Sequence, residues 1–189
     1  MTELWDLLDA DCRPTGEQVI RPGSADDGVH RFFQVGDFHQ VVVGALFRGD
    51  QMLIQRRVDD KEVWPGLWDL TAGGSVVTGE SSRLAMRREL NEEVGVDIDF
   101  GAYRPAMTVA HDRGFTDYFL ADAPQSLSLA DLRLQASEVQ DARWASLDEI
   151  IELHAAGRFI NYRPGFLEFI FALAGGNNVY GEVRHTERL

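Results

Sequence analysis

Residues 74–96, GSVVTGESSRLAMRRELNEEVGV, decide how this chain is read. Ser81 or Ser82 is a good helix N-cap, the residues after it predict a helix to Val94, and Gly95 stands where a left-handed residue closes one. Such a helix has about four turns. Side chains three and four apart share a face, so Glu89, Glu92 and Glu93 project together beside an apolar stripe of Met86, Leu90 and Val94. One side is core, and the next is a cluster of carboxylates.

Three carboxylates within a turn repel one another, and only Arg88, four residues before Glu92, compensates them locally. A hard divalent cation with oxygen ligands, shared with a substrate phosphate, satisfies such a set. Gly73 and Gly74 just ahead allow a backbone carbonyl to approach a metal or phosphate closely. A bare E-x-x-E-E is an ordinary solvated helix face. Here Gly74, Glu80, the Arg88-Glu89 pair, the Glu92-Glu93 pair and Gly95 all fall in one fixed frame.

That frame resembles the Nudix box at every defined position, aliphatic Leu90 and Val96 included. The resemblance implies an α/β fold of the Nudix type, an α/β/α sandwich with a mixed central sheet. It also implies hydrolysis of a diphosphate (phosphoanhydride) bond, typically in a nucleoside diphosphate linked to another group. The implied cofactor is Mg²⁺ or Mn²⁺, with Glu89, Glu92 and Glu93 as ligands, the Gly73 backbone carbonyl joining them, and Arg88 orienting a glutamate. One carboxylate must accept a proton from the attacking water: Glu89 or Glu92 is the first choice. Glu138 is the second, and is also a candidate further metal ligand.

Outside the box the chain is similar to the Nudix branch related to isopentenyl-diphosphate isomerase. The similarity lies in an N-terminal ribbon, Phe38-His39, Gln55-Arg56-Arg57, and Lys61 with Trp64-Pro65-Gly66-Leu67-Trp68. In that isomerase the stretch leading into the box carries a catalytic cysteine and, two residues on, a metal-binding histidine. Gly73 and Ser75 stand there in this chain. Isomerisation needs a proton donor at the first position, and glycine has none. Hydrolysis is therefore the leading reading, with a five-carbon diphosphate isomerase or a non-catalytic nucleotide-binding module as alternatives. His39 and Asp117 fall near further isomerase metal positions, but Ser75 and Phe115 break that set, and His39 is read as packed and hydrogen-bonded. Arg56, Arg57 and Lys61 are candidate partners for substrate phosphate.

The 189 residues are 44% hydrophobic and 26% charged, enough for one globular domain with a real core. A net charge of −13 repels nucleic acid and anionic membranes, leaving a small diphosphate as the expected partner. No run nears the ~18 apolar residues of a membrane span, and the acidic start does not open a signal peptide. A cytoplasmic location is expected. Cys12 is the only cysteine, which excludes an internal disulfide.

Along the chain, the sequence predicts a ribbon over 3–20, a connection over 21–37 with a short helix near 29–33, and strands over 39–47, 51–56 and 69–72. After the acidic helix come strands over 97–100, 103–109, 115–120, 132–135 and 139–144, then helices over 147–156 and 166–174. The expected division is a ribbon and connection over 1–36, a Nudix domain over 37–174, and a loose tail over 175–189. Trp64 and Trp68 are read as wedging a loop against the core. The last helix is apolar on more than one face, which suggests part of it is buried in a homodimer.

Overall fold

The computed structural model describes residues 2–163 and 165–174, so the expected tail lies outside the described residues. The centre is β3 (His39–Arg48), whose apolar, β-branched sequence suits a strand covered on both faces. Nine residue pairs, from His39↔Gly114 to Phe47↔Asp122, join it in parallel to β8 (Gly114–Asp122), and β7 (Met107–His111) extends that side antiparallel. On its other side β3 meets β4 (Gln51–Arg57) only at the hairpin end, through Phe47↔Met52 and Arg48↔Gln51. Beyond that point the two strands part. β9 (Val139–Ser146) runs along β4, and β5 (Trp68–Asp69) pairs with the end of β4.

The split is bridged by the chain itself. The expected single strand over 69–72 is broken: β5 belongs to β4, whereas β6 (Ala72–Ser75) pairs with β3 through Val41↔Ser75 to Gly44↔Ala72. Thr71, fully buried between them, gives its hydroxyl proton to the Leu53 carbonyl of β4 and accepts from the Leu46 amide of β3. One side chain thereby satisfies polar backbone on both halves of the sheet.

Side-chain alternation then sorts the core into two layers. Val42 and Leu46 of β3, Leu53 of β4 and Phe119 of β8 face α1 (Ser82–Val94), packing on Ala85, Met86, Leu90 and Val94. Ala45 and Phe47, Met52 and Ile54, and Leu120 face the opposite way, onto α2 (Leu147–Ala155) and α3 (Phe166–Leu173). This is the mixed-sheet sandwich the family resemblance implied. α2 opens with the expected capping box, Ser146 with Glu149. In α3, Leu167, Ile170 and Leu173 are buried within this one chain, and Phe169 is the exposed aromatic.

Three expected elements are absent, each displaced by a tertiary or capping contact. No helix forms near 29–33: the Asp27 carboxylate takes the amides of Val29 and His30, and Ile20 exchanges backbone bonds with Arg31 and Phe33. Residues 97–100 are not a strand, because Asp99 caps a short 3₁₀ turn, Phe100–Ala102, that buries Phe100. Residues 132–135 instead cover the end of α1, where the Arg133 and Gln135 amides donate to the Val94 and Glu93 carbonyls.

The ribbon, β1 (Leu4–Leu8) with β2 (Pro14–Ile20), buries Trp5, Leu7 and Val19 with Phe33. It is fastened to the loop before α1: the Thr78 amide donates to the Leu4 carbonyl at 2.9 Å, and the Gly79 amide to the Asp6 carboxylate at 3.0 Å. Among the described residues no helix is long and apolar enough to cross a membrane.

Candidate active site

The acidic helix forms as the sequence predicted. Ser81 is the N-cap, accepting from the Leu84 amide, and Gly95 closes the helix at φ 75°. A Cβ at residue 95 would sit 2.8 Å from the Arg133 backbone, so glycine there serves both the left-handed turn and the covering loop. Toward the sheet, Gly44 of β3 leaves only enough space for Met86, which brings the carboxylate-bearing end of α1 down onto the split between β3 and β4.

Glu93 is the most unusual group on the helix. It is 5% exposed, and its partners are the Gly73 amide at 3.2 Å and the Gln55 side-chain amide at 3.5 Å. Burial, reinforced by Glu89, pushes its carboxyl up to about 8. Gln55 is itself buried, and its carbonyl oxygen has no hydrogen-bond partner among the described residues. An orphaned acceptor beside a buried acid without a close cation is a site short of positive charge and of donors.

Glu89 and Glu92 are tethered instead. The Arg88 guanidinium reaches Glu89 Oε1 at 2.7 Å, Glu92 Oε2 at 3.4 Å and Glu80 Oε2 at 2.9 Å, and donates to the Ser75 carbonyl. Burial opposes its charge, but Glu80 and Glu89 outweigh that and hold its proton more firmly than usual. Burial also raises the Glu89 carboxyl despite Arg88. Among the described residues no three acidic, imidazole or thiol groups are already gathered around one point, because Arg88 holds two of the acids. Each carboxylate nevertheless keeps one oxygen, Glu89 Oε2, Glu92 Oε1 and Glu93 Oε1, without a hydrogen bond among the described residues. Three free hard oxygens and an orphaned amide acceptor fit a divalent ion with its waters.

Gly73 and Gly74 make the room. A Cβ on Gly74 would lie 2.1 Å from Glu89 Oε1, and one on Gly73 would lie 2.9 Å from the Val42 carbonyl. The first glycine thus keeps the Gly73-Gly74 strand against β3, and the second leaves space for the Glu89 carboxylate.

These groups line one cleft of about 350 Å³ with Glu3, Arg21, Arg57, Lys61, Gln135 and Glu138. Its size suits a small ligand. Arg57 is anchored by the Val63 carbonyl at 3.1 Å and by Asp69 at 3.7 Å. Asp69 accepts in turn from the Tyr162 hydroxyl at 2.8 Å, and burial raises its own carboxyl. Lys61 is ion-paired with Glu138, so that acid is present at the cleft but already engaged. Burial, then Arg57, lowers the Lys61 ammonium below the usual lysine value.

Arg56 is a correction. Strand alternation sends residues 55 and 57 toward α1 and residue 56 to the other side, where Arg56 donates to the Gly66 carbonyl at 2.9 Å and approaches Asp59 at 3.6 Å. His39 is packed as read: it stacks on Trp5 at 4.0 Å and 3°, and its Nδ1–H donates to the Arg113 carbonyl. Burial lowers it to about 4. Asp117 is occupied by the Gln40 amide at 2.7 Å and the Thr108 hydroxyl. Trp68 packs into the second core layer as expected, whereas Trp64, at φ 55°, is exposed.

Glu3 and Arg21 went unnoticed in the sequence because only docking of the ribbon brings them to the cleft. Gln55 and Asp69 carried a weak signal: polar side chains inside otherwise apolar strands.

The NUDIX domain family matches residues 38–164 of the chain. The chain belongs to the Nudix family. A Nudix hydrolase of uncharacterised activity from Listeria monocytogenes is 36% identical over 179 residues, covering 94% of this chain and 99% of its own. A protein named isopentenyl-diphosphate Delta-isomerase from Dinoroseobacter shibae is 33% identical over 124 residues, covering 62% and 69% respectively. In fold, a crystal structure from Deinococcus radiodurans superposes with a TM-score of 0.64 at 24% identity, over 89% of this chain and 97% of that one. The protein is thus a Nudix hydrolase by family, and both the hydrolase and isomerase names occur among its relatives.

Proposed function

We propose that this Nudix hydrolase cleaves the phosphoanhydride bond of a nucleotide-like or other organic diphosphate, using Mg²⁺ or Mn²⁺ held by Glu89, Glu92 and Glu93 with the Gly73 carbonyl. The observation that carries this reading is the set of three carboxylates, each with one uncommitted oxygen, lining a cleft that also presents Arg57 and Lys61. When bound, the divalent ion supplies Lewis acidity toward a phosphoryl oxygen and acidifies a water. Glu93 would offer the ion a buried carboxylate that, among the described residues, no side-chain cation pairs with at close range. Arg88, which lines the same cleft and bonds both Glu89 and Glu92, would hold those two carboxylates beside Glu93. Glu89 or Glu92 is the group that takes the proton of the attacking water. Arg57, stiffened by Asp69 and Tyr162, and Lys61 offset charge on the substrate phosphates, the preorganised contribution that lowers such barriers most.

Isomerisation is the weaker reading. Residue 73 lacks the cysteine position's proton donor, and any side chain there meets the Val42 carbonyl. Screening nucleoside triphosphates, dinucleotide polyphosphates, sugar nucleotides and isoprenoid diphosphates, with and without Mg²⁺, tests the proposal. Metal-dependent phosphate release that Glu93→Gln abolishes is expected. Undiminished turnover in that variant, or proton exchange into isopentenyl diphosphate without phosphate release, overturns it.

A further inference from the structure

Two of the charged residues lining the cleft, Glu3 just before the ribbon strands and Arg21 just after them, lie outside the Nudix-matching residues. They are held firmly there. The Arg21 amide donates to the Glu3 carbonyl at 2.9 Å, closing the open end of the ribbon. The Glu3 carboxylate receives the Trp5 indole N–H on one oxygen at 2.9 Å and the Arg21 guanidinium on the other at 2.8 Å. Trp5 in turn is 5% exposed, stacked on His39 and edge-on to Phe33. A core residue therefore orients Glu3, and Glu3 orients Arg21.

The cations of the cleft differ in how they are tied. Arg88 is spent on three acids and a carbonyl of the box itself. Arg21, Arg57 and Lys61 remain, and each rests on a carboxylate that a phosphate can replace or supplement: Glu3, Asp69 and Glu138. Val77 is the one large apolar side chain among the lining residues, and no aromatic is among them. Recognition inside this cleft therefore acts on charge, not on a stacked base.

We propose that Arg21 is a specificity-determining residue that grips a phosphate of the substrate, forming with Arg57 and Lys61 an anion-binding wall that selects substrates through their phosphates. The inference deepens the diphosphohydrolase reading and rests on it. On binding, a substrate phosphate bonds the Arg21 guanidinium that Glu3 orients, while the ribbon stays docked.

The test uses the full chain and methylenediphosphonate, a diphosphate mimic that cannot be hydrolysed, titrated calorimetrically with Mg²⁺ present. Arg21→Gln keeps a polar side chain and loses the charge. It is expected to weaken binding at least tenfold, with Arg21→Lys recovering part of the loss. The Glu3–Arg21 pair is solvent-exposed, at 30% and 50% of the side chains, so the melting temperature is expected to stay within a few degrees. On a substrate that is turned over, Arg21→Gln raises KM more than it lowers kcat. Equal diphosphonate affinity in wild type and Arg21→Gln overturns the proposal while leaving hydrolysis untouched. Loss of affinity in Arg21→Gln alongside a hydrolysis screen that is silent for wild type upholds the anion wall and rejects hydrolysis. Failure of wild type to bind the mimic overturns the anion wall and leaves hydrolysis to be decided by the substrate screen.

Discussion

Replacing Gly74 with alanine separates the fold from the chemistry. The residue has no left-handed backbone, so alanine adds no conformational strain, and the three atoms nearest the new methyl all belong to Glu89, at 2.1 Å for Oε1, 2.3 Å for Cδ and 2.7 Å for Oε2. Ordinary contact lies at 3.4 Å or beyond, so the carboxylate must retreat by about 1 Å or more. It stands at the end of a flexible side chain and can do so without disturbing β6 or α1. A ligand displaced by that distance costs about 10²-fold in rate, or roughly 3 kcal/mol of transition-state stabilisation. The assay is metal-dependent phosphate release together with Mn²⁺ affinity and thermal denaturation. Gly74→Ala is expected to melt close to wild type while kcat falls about a hundredfold and Mn²⁺ binds more weakly. Wild-type kcat and Mn²⁺ affinity would show that Glu89 is no ligand. A large fall in melting temperature would refute the argument that the side chain absorbs the clash. Gly73→Ala makes the contrast, since its methyl meets the rigid Val42 carbonyl and the loss should appear in stability.

Other outcomes follow from the buried charges. Glu93 holds its proton up to about 8 when folded but only to ~4.3 when unfolded. Metal-free protein should therefore lose stability as pH rises between those values, on the order of 3 kcal/mol by pH 7; Glu93→Gln flattens that slope in urea titrations with chelator, and a slope equal to wild type contradicts the assignment. His39 is depressed to about 4 by burial, against ~6.5 unfolded, so its neutral form stabilises fully above that unfolded value. That contribution is lost as pH falls toward 4, by about 3 kcal/mol at most, and parallel stability curves for wild type and His39→Gln would rule it out. Tyr162→Phe removes the hydroxyl that steadies Asp69 beneath Arg57. It is expected to raise KM several-fold with little change in kcat, and an unchanged KM would show that Arg57 needs no such support.

The parts of the fold that were legible in the sequence are those written locally. Ser81, the apolar stripe through Leu90 and the closing Gly95 specify α1 within one stretch, and Ser146 with Glu149 does the same for α2. The expectations that failed depend on distant partners. Residues 132–135 carry strand-like leucines, yet the open carbonyls at the end of α1 claim their amides. Arg56 is chemically as good a phosphate ligand as Arg57, and only the side of β4 from which each emerges tells them apart. Glu3 and Arg21 lie outside the box frame, so their place at the cleft follows from ribbon docking alone. The carboxylate set was legible as a set with Arg88 as its local partner, whereas the further reach of Arg88 to Glu80 and the Ser75 carbonyl follows only from how the loop folds back on α1.

The hydroxyl of Thr71 joins two strands that otherwise separate, and the chain changes partners at that residue. A single-residue insertion between Asp69 and Gly73 would therefore set the Ala72 side chain where Gly73 lies against the Val42 carbonyl, and a deletion would set Ser75 where Gly74 leaves room for Glu89. Length in this short span is fixed by both halves of the sheet at once. Descendants of this sequence can vary their substrate loops freely, but they cannot lengthen this crossing without dismantling the place where chemistry occurs.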